Sequence, residues 1–307
     1  MHIVVVGAGS LGSLLGGLLA RTHEVTLVGR APHVDAVTAE GLSVVGVEAF
    51  HVDPAARTDR PESADVAVVA VKSYDTEAVA RQLSDCALDA VLSVQNGMSN
   101  ESTLADHVDC PVLAGTCTYG ARLESPGRVA FTGRGEVVLG PRRGGTSTVA
   151  QRVGAAFDAS NVETTVAADM PTRLWAKLAV NAAVNATTAL ARVENGALVA
   201  GPAQSLAADA ARETARVARE QGVELSNERA VELAREVVRD TAPNRSSMRQ
   251  DVEAGRRTEI DAINGYVVAA ATEPVPVNAT LTRLVRAWEV ANASAREGGL
   301  SGEECQK

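Results

Sequence analysis

The sequence has 307 residues, with 38 acidic and 29 basic side chains and a formal net charge of −9. It contains no basic stripe with interleaved aromatic residues, so we expect no nucleic-acid partner. The chain starts without a basic n-region, and no apolar run approaches the ~18 residues of a membrane span. We therefore expect a cytoplasmic protein that does not bind membranes.

The first part of the chain predicts alternating strands and helices. Short apolar runs bounded by turn residues predict strands at 2–7, 24–29, 66–71, 90–97 and 112–120. A hairpin or edge pair is expected at 129–140, then a helix at 148–160 and a last strand at 162–167. This alternation is typical of an α/β fold with a doubly wound parallel sheet. We predict a Rossmann-type domain over residues 1–168.

The second part predicts an all-α domain over residues 169–294. Amphipathic segments with helical spacing lie at 171–192, 202–221, 226–240, 246–256, 259–272 and 279–293. Pro202, Ser226 and Thr258 stand at helix starts as first-turn or cap residues. The polar, glycine-rich residues 295–307 are expected to form a flexible tail.

A glycine motif, GAGSLG, follows the first predicted strand and opens a helix. In this context the first glycine permits a tight turn, the second lets the backbone approach a pyrophosphate, and the third allows close helix packing. The helix N-terminus also directs its amides at the anion. The predicted cofactor loop consists of Gly7, Ala8, Gly9, Ser10, Leu11 and Gly12.

Two basic residues and one amide follow other predicted strands. Arg30 comes after the second strand, where an NAD enzyme usually carries an acidic residue, and an arginine there can grip the 2′-phosphate of NADP. We therefore predict NADP(H) as cofactor. Lys72 can serve the same phosphate or the ribose, or be a solvated loop lysine. Asn96 can contact the nicotinamide or the substrate, or be part of a simple turn.

The first predicted helix of the second domain carries a polar stripe. Lysine occurs three times in the chain, at Lys72, Lys177 and Lys307, and an ammonium can donate a proton whereas a guanidinium in practice cannot. Asn181 and Asn185 follow Lys177 at i+4 and i+8, so each step drifts by only about 40° around the helix. A ligand pocket explains this stripe, although asparagines can also satisfy the backbone of a neighbouring loop.

A second polar cluster lies in residues 244–268. Ser246 and Ser247 stand where a helix should begin, which suits a carboxylate ligand or plain N-capping. Thr258 and Asp261 have the spacing of a capping arrangement, so we assign Asp261 a structural role. Glu259 lies between them and outside this capping spacing, and it is the carboxylate that we expect in the pocket.

Together these motifs resemble the ketopantoate reductase (2-dehydropantoate 2-reductase) family, which reduces ketopantoate to pantoate with NADPH on the route to coenzyme A. The resemblance spans essentially the whole chain. It rests on GAGSLG, Lys72, the QNG turn, the KLxxNxxxN helix and SSMxxDxxxGRxTEIDxINGY. It implies a second domain similar to the C-terminal domain of 6-phosphogluconate dehydrogenase.

The resemblance also implies roles for individual residues. Lys177 matches the general acid, and Glu259 matches a catalytic carboxylate that binds substrate and also lies by the cofactor. The implied substrate contacts are Asn96, Asn181, Asn185, Asn244 and Ser247, with Asn96 also near the cofactor. The glycine loop, Arg30 and Lys72 would hold NADPH. The chain departs from the pattern at Ala186, where several members have proline, which affects the helix but not the Asn185 amide.

Several alternatives remain open from sequence. A related reductase of another 2-keto acid, or a 3-hydroxyacid dehydrogenase of the 6-phosphogluconate type, shares the Rossmann domain and the Lys-x-x-x-Asn helix. A non-catalytic NADP sensor would have lost the second cluster, which is present. A metal-dependent reductoisomerase is disfavoured because the helical half has no carboxylate cluster with ligand spacing. A small 2-keto acid is the expected substrate, and a homodimer is compatible with the helical half.

Overall fold

The computed structural model describes residues 1–300, with side chains described through residue 293. The chain divides into two compact units, Met1–Leu174 and a second that begins at Trp175. Of the expected tail, residues 295–300 belong to the last helix, whereas 301–307 lie outside the described residues. No described helix combines the length and the apolar character needed to cross a membrane.

The first unit alternates strands with five α-helices. The helices are α1 (Ser10–Leu19), α2 (Ala31–Glu40), α3 (Thr76–Leu83), α4 (Asn100–Ala105) and α5 (Thr148–Ala159). The strands are β1 (His2–Val6), β2 (Glu24–Val28), β3 (Leu42–Gly46), β4 (Phe50–Val52), β5 (Ala55–Arg57), β6 (Ser63–Val69), β7 (Ala87–Ser93), β8 (Val112–Cys117), β9 (Gly120–Ser125), β10 (Arg128–Gly133), β11 (Val137–Pro141) and β12 (Thr164–Val166).

Eight of these strands form one sheet in the order β12-β11-β8-β7-β6-β1-β2-β5. All neighbouring pairs are parallel except β8 and β11, which are antiparallel. The chain builds the sheet outward from β1 in both directions, first through β2 and then through β6. The predicted doubly wound α/β sheet is therefore confirmed, and its strand order reverses beside β1.

Both faces of this sheet are covered. Ile3 and Val5 of β1 belong to one buried apolar cluster, whereas Val4 and Val6 belong to another. Side chains alternate across a strand, so each pair faces a different layer of helices. This explains why the strand is apolar at every position rather than at every second one.

A second sheet of four strands has the order β4-β3-β10-β9. The expected hairpin or edge pair at 129–140 is wrong, because β10 pairs with β9 and β3 whereas β11 pairs with β8 and β12. Between β10 and β11 the chain passes tightly against a neighbouring peptide. A Cβ at Gly135 would lie 2.4 Å from the Tyr119 nitrogen. The two apolar runs thus enter separate sheets instead of pairing with each other.

The second unit is helical, as predicted. Its helices are α6 (Met170–Ala191), which begins in the first unit, α7 (Pro202–Glu220), α8 (Asn227–Asp240), α9 (Ser247–Glu253), α10 (Asn264–Ala270) and α11 (Pro276–Leu300). The first three match the predicted segments within two residues. Ser226 caps α8 by accepting a hydrogen bond from the Arg229 amide at 3.1 Å, which agrees with the capping prediction.

The predicted helix at 259–272 begins five residues later, at Asn264, and the predicted Thr258–Asp261 capping arrangement is wrong. Thr258 donates its hydroxyl to Glu289 Oε1 at 2.7 Å and accepts from the Ile260 amide at 3.2 Å. Asp261 instead pairs with Arg286 at 2.7 Å. Both partners lie on α11, so contacts with a distant helix hold residues 258–263 in turns. Asp261 has a structural role, but not the expected one.

His33 joins three parts of the first unit. Its Nδ1 accepts from the Gly127 amide at 3.1 Å, which leaves Nε2 as the protonated nitrogen that donates to Ser13 Oγ at 3.0 Å. These bonds connect α2 to α1 and to the turn between β9 and β10. Burial lowers the pKa of His33 below its ordinary value, because desolvation disfavours the charged ring.

We expect acid to destabilise the protein through His33. The unfolded chain protonates this residue near its ordinary pKa of about 6.5, whereas the folded protein resists protonation. Unfolding therefore takes up a proton below that pH, and the free energy of unfolding decreases as the pH falls from 7.5 to 5.5. Thermal unfolding of His33→Gln should show a smaller decrease than the native protein. His51→Gln, at an exposed histidine, is the control, and equal slopes in both variants would contradict the assignment.

Candidate active site

The three glycines of the motif have different surroundings in the fold. Gly7 has a φ of +104°, and a Cβ there would lie 2.6 Å from the Val71 nitrogen. A Cβ at Gly12 would lie 2.1 Å from the Gly7 carbonyl oxygen. Around Gly9, by contrast, a Cβ would meet nothing within 4 Å. The first and third glycines are thus required by the fold, and the second leaves open space above the loop.

The rest of the glycine loop offers its backbone rather than its side chains. The amides of Gly7 and Ala8 both donate to the Val28 carbonyl, at 2.9 and 3.0 Å. Ser10 Oγ accepts a hydrogen bond from the Leu123 amide at 2.9 Å, so its hydroxyl is engaged by the second sheet. Helix α1 starts after Gly9 without a side-chain cap. The first-turn amides, including that of Leu11, thus have no side-chain cap, and a helix start of this kind is suited to bind an anion.

Basic residues flank the glycine loop on both sides. Arg30 follows β2 and Lys72 follows β6, and both strands pair with β1. The carboxyl ends of these parallel strands lie at the same edge of the sheet. The Arg30 side chain is exposed and forms no ion pair within the part of the chain that the structure describes. Lys72 is partly buried at the start of a short 3-10 turn.

Asn96 lies at the same edge, just after β7. It is partly buried, and its carbonyl accepts a hydrogen bond from Asn100 Nδ2 at 3.0 Å. Strand β7 is the neighbour of β6. The structure therefore brings Arg30, Lys72 and Asn96 to the edge that carries the glycine loop.

The polar stripe of α6 lies in the second unit. Lys177 and Asn181 are partly buried, and Asn185 is only 5% exposed. Within the described residues the Asn185 side chain makes no hydrogen bond to the protein. Its side-chain nitrogen and oxygen are not among the fully buried polar atoms that lack a partner within the described residues, so they remain accessible to a ligand.

The start of α9 is tied to the same helix. Ser246 is the cap, and its Oγ accepts from the Arg249 amide at 3.1 Å and from the Thr188 hydroxyl at 2.7 Å. Thr188 stands three residues after Asn185 on α6. Ser247 begins the helix beside this contact and is exposed, as is Asn244. Ser246 therefore has a structural role as the helix cap, whereas Ser247 remains accessible to solvent.

Glu259 is buried, with 5% of its surface exposed. Its segment is held against α6 by Asn264, whose Nδ2 donates to the Ala182 carbonyl at 3.0 Å. Ala182 lies between Asn181 and Asn185 on that helix. The structure thus brings the Glu259 segment and the start of α9 to the helix that carries Lys177.

Asn195 is a candidate that the sequence motifs did not reveal. It is buried, its amide donates to the Asn244 carbonyl at 2.9 Å, and its Nδ2 donates to Thr241 Oγ1 at 2.9 Å. Its Oδ1 has no hydrogen-bond partner within the described residues. In sequence, the Asn-Gly pair at Asn195 indicates only a turn. The buried oxygen without a partner is what marks Asn195 as a candidate functional residue, and this feature is visible only in the folded chain.

A doubly wound sheet with a glycine loop at its switch point, joined to a helical unit with a Lys-Asn-Asn stripe, defines a two-domain oxidoreductase of the Rossmann type. The chain belongs to the ketopantoate reductase family. The family model for ketopantoate reductase PanE/ApbA matches residues 3–144, and the model for the C-terminal part of that family matches residues 169–289.

Individual relatives cover nearly the whole chain. A 2-dehydropantoate 2-reductase of Halobacterium salinarum is 44% identical over 93% of this chain and 98% of its own length. The structure of a PanE/ApbA family ketopantoate reductase from Ralstonia eutropha JMP134 is 33% identical, with a TM-score of 0.88 over 95% of this chain and all of that one. D-mandelate dehydrogenase with NADH and anilino(oxo)acetate is 24% identical, with a TM-score of 0.88 over 95% and 99% of the two chains, and shares the fold.

The different surroundings of Gly9 and Gly12 generate a paired prediction. Gly9→Ala should leave the melting temperature unchanged and weaken binding of a nicotinamide dinucleotide by about tenfold or more, because its methyl group enters the open space above the loop. Gly12→Ala should lower the free energy of unfolding by about 1–3 kcal/mol, because its methyl group has no room. Thermal unfolding and fluorescence titration measure the two effects. Native-like affinity in Gly9→Ala would contradict the cofactor role of the loop.

Proposed function

We propose that the protein reduces 2-dehydropantoate to pantoate with NADPH, the step that leads towards pantothenate and coenzyme A. Its membership of the ketopantoate reductase family supports this reaction, as does the relative at 44% identity. The observation that carries the proposal is the α6 stripe. Asn185 is only 5% exposed, its amide remains accessible, and it stands in line with Lys177, which suits a small polar substrate.

The first unit fits a dinucleotide. The open space above Gly9 and the uncapped start of α1 suit a pyrophosphate, which would be held by backbone amides. Arg30, exposed and without an ion pair within the described residues, suits the 2′-phosphate that distinguishes NADP from NAD. Lys72 would add positive charge at the same edge, and Asn96 would lie towards the nicotinamide and the substrate. When bound, the reduced nicotinamide supplies a hydride.

The second unit supplies the acid and the substrate contacts. As the keto carbon gains a hydride, its oxygen gains negative charge, which the Lys177 ammonium stabilises before it donates a proton. The proton and the hydride together convert the ketone into the secondary alcohol of the product. Asn181, Asn185 and Ser247 offer hydrogen bonds to the polar ends of the substrate, and Asn244 lies by Ser247.

Glu259 has the complementary role of an acceptor. Its carboxylate can accept a hydrogen bond from the primary hydroxyl of 2-dehydropantoate, which simpler 2-keto acids lack. A buried carboxylate that is matched by a substrate hydroxyl discriminates strongly against analogues without one. The proposal therefore includes a preference for the hydroxylated substrate.

The first experiment measures loss of reduced-nicotinamide absorbance by the purified protein with 2-dehydropantoate. We expect turnover with NADPH to exceed that with NADH, and turnover with 2-ketoisovalerate, which lacks the hydroxyl, to be much slower.

Arg30→Ala should reduce the preference for NADPH. Lys177→Ala should lower kcat by roughly a hundredfold or more, because it removes both charge stabilisation and the proton. Lys177→Arg should restore little, and full activity in that variant would exclude Lys177 as the acid.

Asn185 allows a separate prediction, because activity should change far more than stability. Asn185→Leu replaces an accessible amide with an apolar side chain of similar size, so the melting temperature should stay close to the native value. The value of kcat/KM for 2-dehydropantoate should fall by about a hundredfold. Thermal unfolding and steady-state kinetics on one preparation measure both quantities. A loss of stability with retained activity would show that the amide is structural.

A further inference from the structure

A chain of three buried polar side chains lies behind the cofactor edge of the first unit. Gln95, Thr76 and Asn100 are each at most 5% exposed. Gln95 Nε2 donates to the Thr76 hydroxyl at 2.7 Å, and that hydroxyl donates to Asn100 Oδ1 at 2.9 Å. We call these three residues the polar relay.

Both ends of the polar relay are backbone carbonyl groups. Gln95 Nε2 also donates to the Val71 carbonyl at 3.1 Å, and Asn100 Nδ2 donates to the Asn96 carbonyl at 3.0 Å. A carbonyl only accepts, so both amide groups must present nitrogen to the ends. Asn100 Oδ1 then needs a donor and Gln95 Nε2 an acceptor, and the Thr76 hydroxyl is both. Thr76 is therefore the one member whose hydrogen bonds link the two halves.

The two carbonyls belong to the loops that carry proposed site residues. Val71 precedes Lys72 in the loop after β6, and its peptide nitrogen is the atom that lies against Gly7. Asn96 lies in the loop after β7. Three segments meet at the polar relay, since Gln95 follows β7, Thr76 opens α3 and Asn100 opens α4. A displacement at Thr76 thus reaches both loops at once, although Thr76 itself is buried.

We infer that Thr76 is a positioning residue that couples the Lys72 loop to Asn96, so that cofactor and substrate contacts are held in one arrangement. Thr76 touches neither ligand and acts through the two backbone carbonyls. The functional part of this inference rests on the proposed reductase activity. The structural part, in which the Thr76 hydroxyl joins the Gln95 and Asn100 side chains that hold the two loops, does not depend on that activity.

The test replaces the hydroxyl while keeping the shape of the side chain. Thr76→Val should weaken NADPH binding and raise KM for 2-dehydropantoate, each on the order of tenfold, because small misplacements of binding groups are costly. Thr76→Ser retains the hydroxyl and should stay close to the native values. The matched control is Thr214→Val, at another buried threonine, whose hydroxyl bonds, within the described residues, only to the Ala210 carbonyl of its own helix, at 2.9 Å. It should change neither constant.

Amide hydrogen exchange on the ligand-free protein separates the inference from the proposed function. In Thr76→Val, exchange should accelerate in both segments, 72–75 and 96–99, and in neither segment of Thr214→Val. If Thr76→Val does not fold, Asn100→Asp removes the donor to Asn96 and should accelerate exchange at 96–99. Unchanged exchange in these variants, or native affinities in Thr76→Val, would overturn the inference. Native protein that lacks reductase activity would overturn the proposed function, while exchange still decides whether Thr76 couples the loops.

Discussion

The first unit depends on the contact between two backbone segments, the turn after β1 at Gly7 and the loop after β6 at Val71. The sheet reverses its strand order at this point, so the chain leaves β1 with neighbours on both sides. A side chain at Gly7 would collide with the Val71 peptide. Because no side chain separates them, the glycine loop packs directly against the loop that carries Lys72, at the edge where Arg30 also lies.

In the second unit, small side chains allow a similarly close approach between backbone segments. Ala179, Ala182, Ala183 and Ala186 of α6 are fully buried, which lets neighbouring segments approach the helix closely. That approach places carbonyl groups within reach of distant side chains, as in the bond from Asn264 to Ala182. The amides and the lysine of α6 therefore stand on a helix that other elements hold in place, which is what a substrate site on a rigid element requires.

The periodicity of apolar residues predicted most of the strands and helices. The polar stripe on α6 followed from residue spacing alone. The errors arose where distant partners decide the outcome. The segment 129–140 has the alternation of a hairpin, yet its two strands find partners in different sheets. Thr258 has the form of a cap but bonds to Glu289 instead. Ser10 and Asn195 owe their roles to residues 113 and 46 positions away, which no window of sequence contains.

The scarcity of lysine has a practical consequence. Lys72 and Lys177 are the only lysines among the described residues; both are partly buried, Lys72 among the candidate residues of the first unit and Lys177 among those of the second. Lys307 and the terminal amine complete the amines of the chain. Chemistry that is selective for primary amines, such as reductive methylation with an isotope label, thus places two of its four probes beside candidate site residues, one in each unit. The labelled Lys72 and Lys177 would then report on both sets of candidate residues by NMR, without any engineered residue.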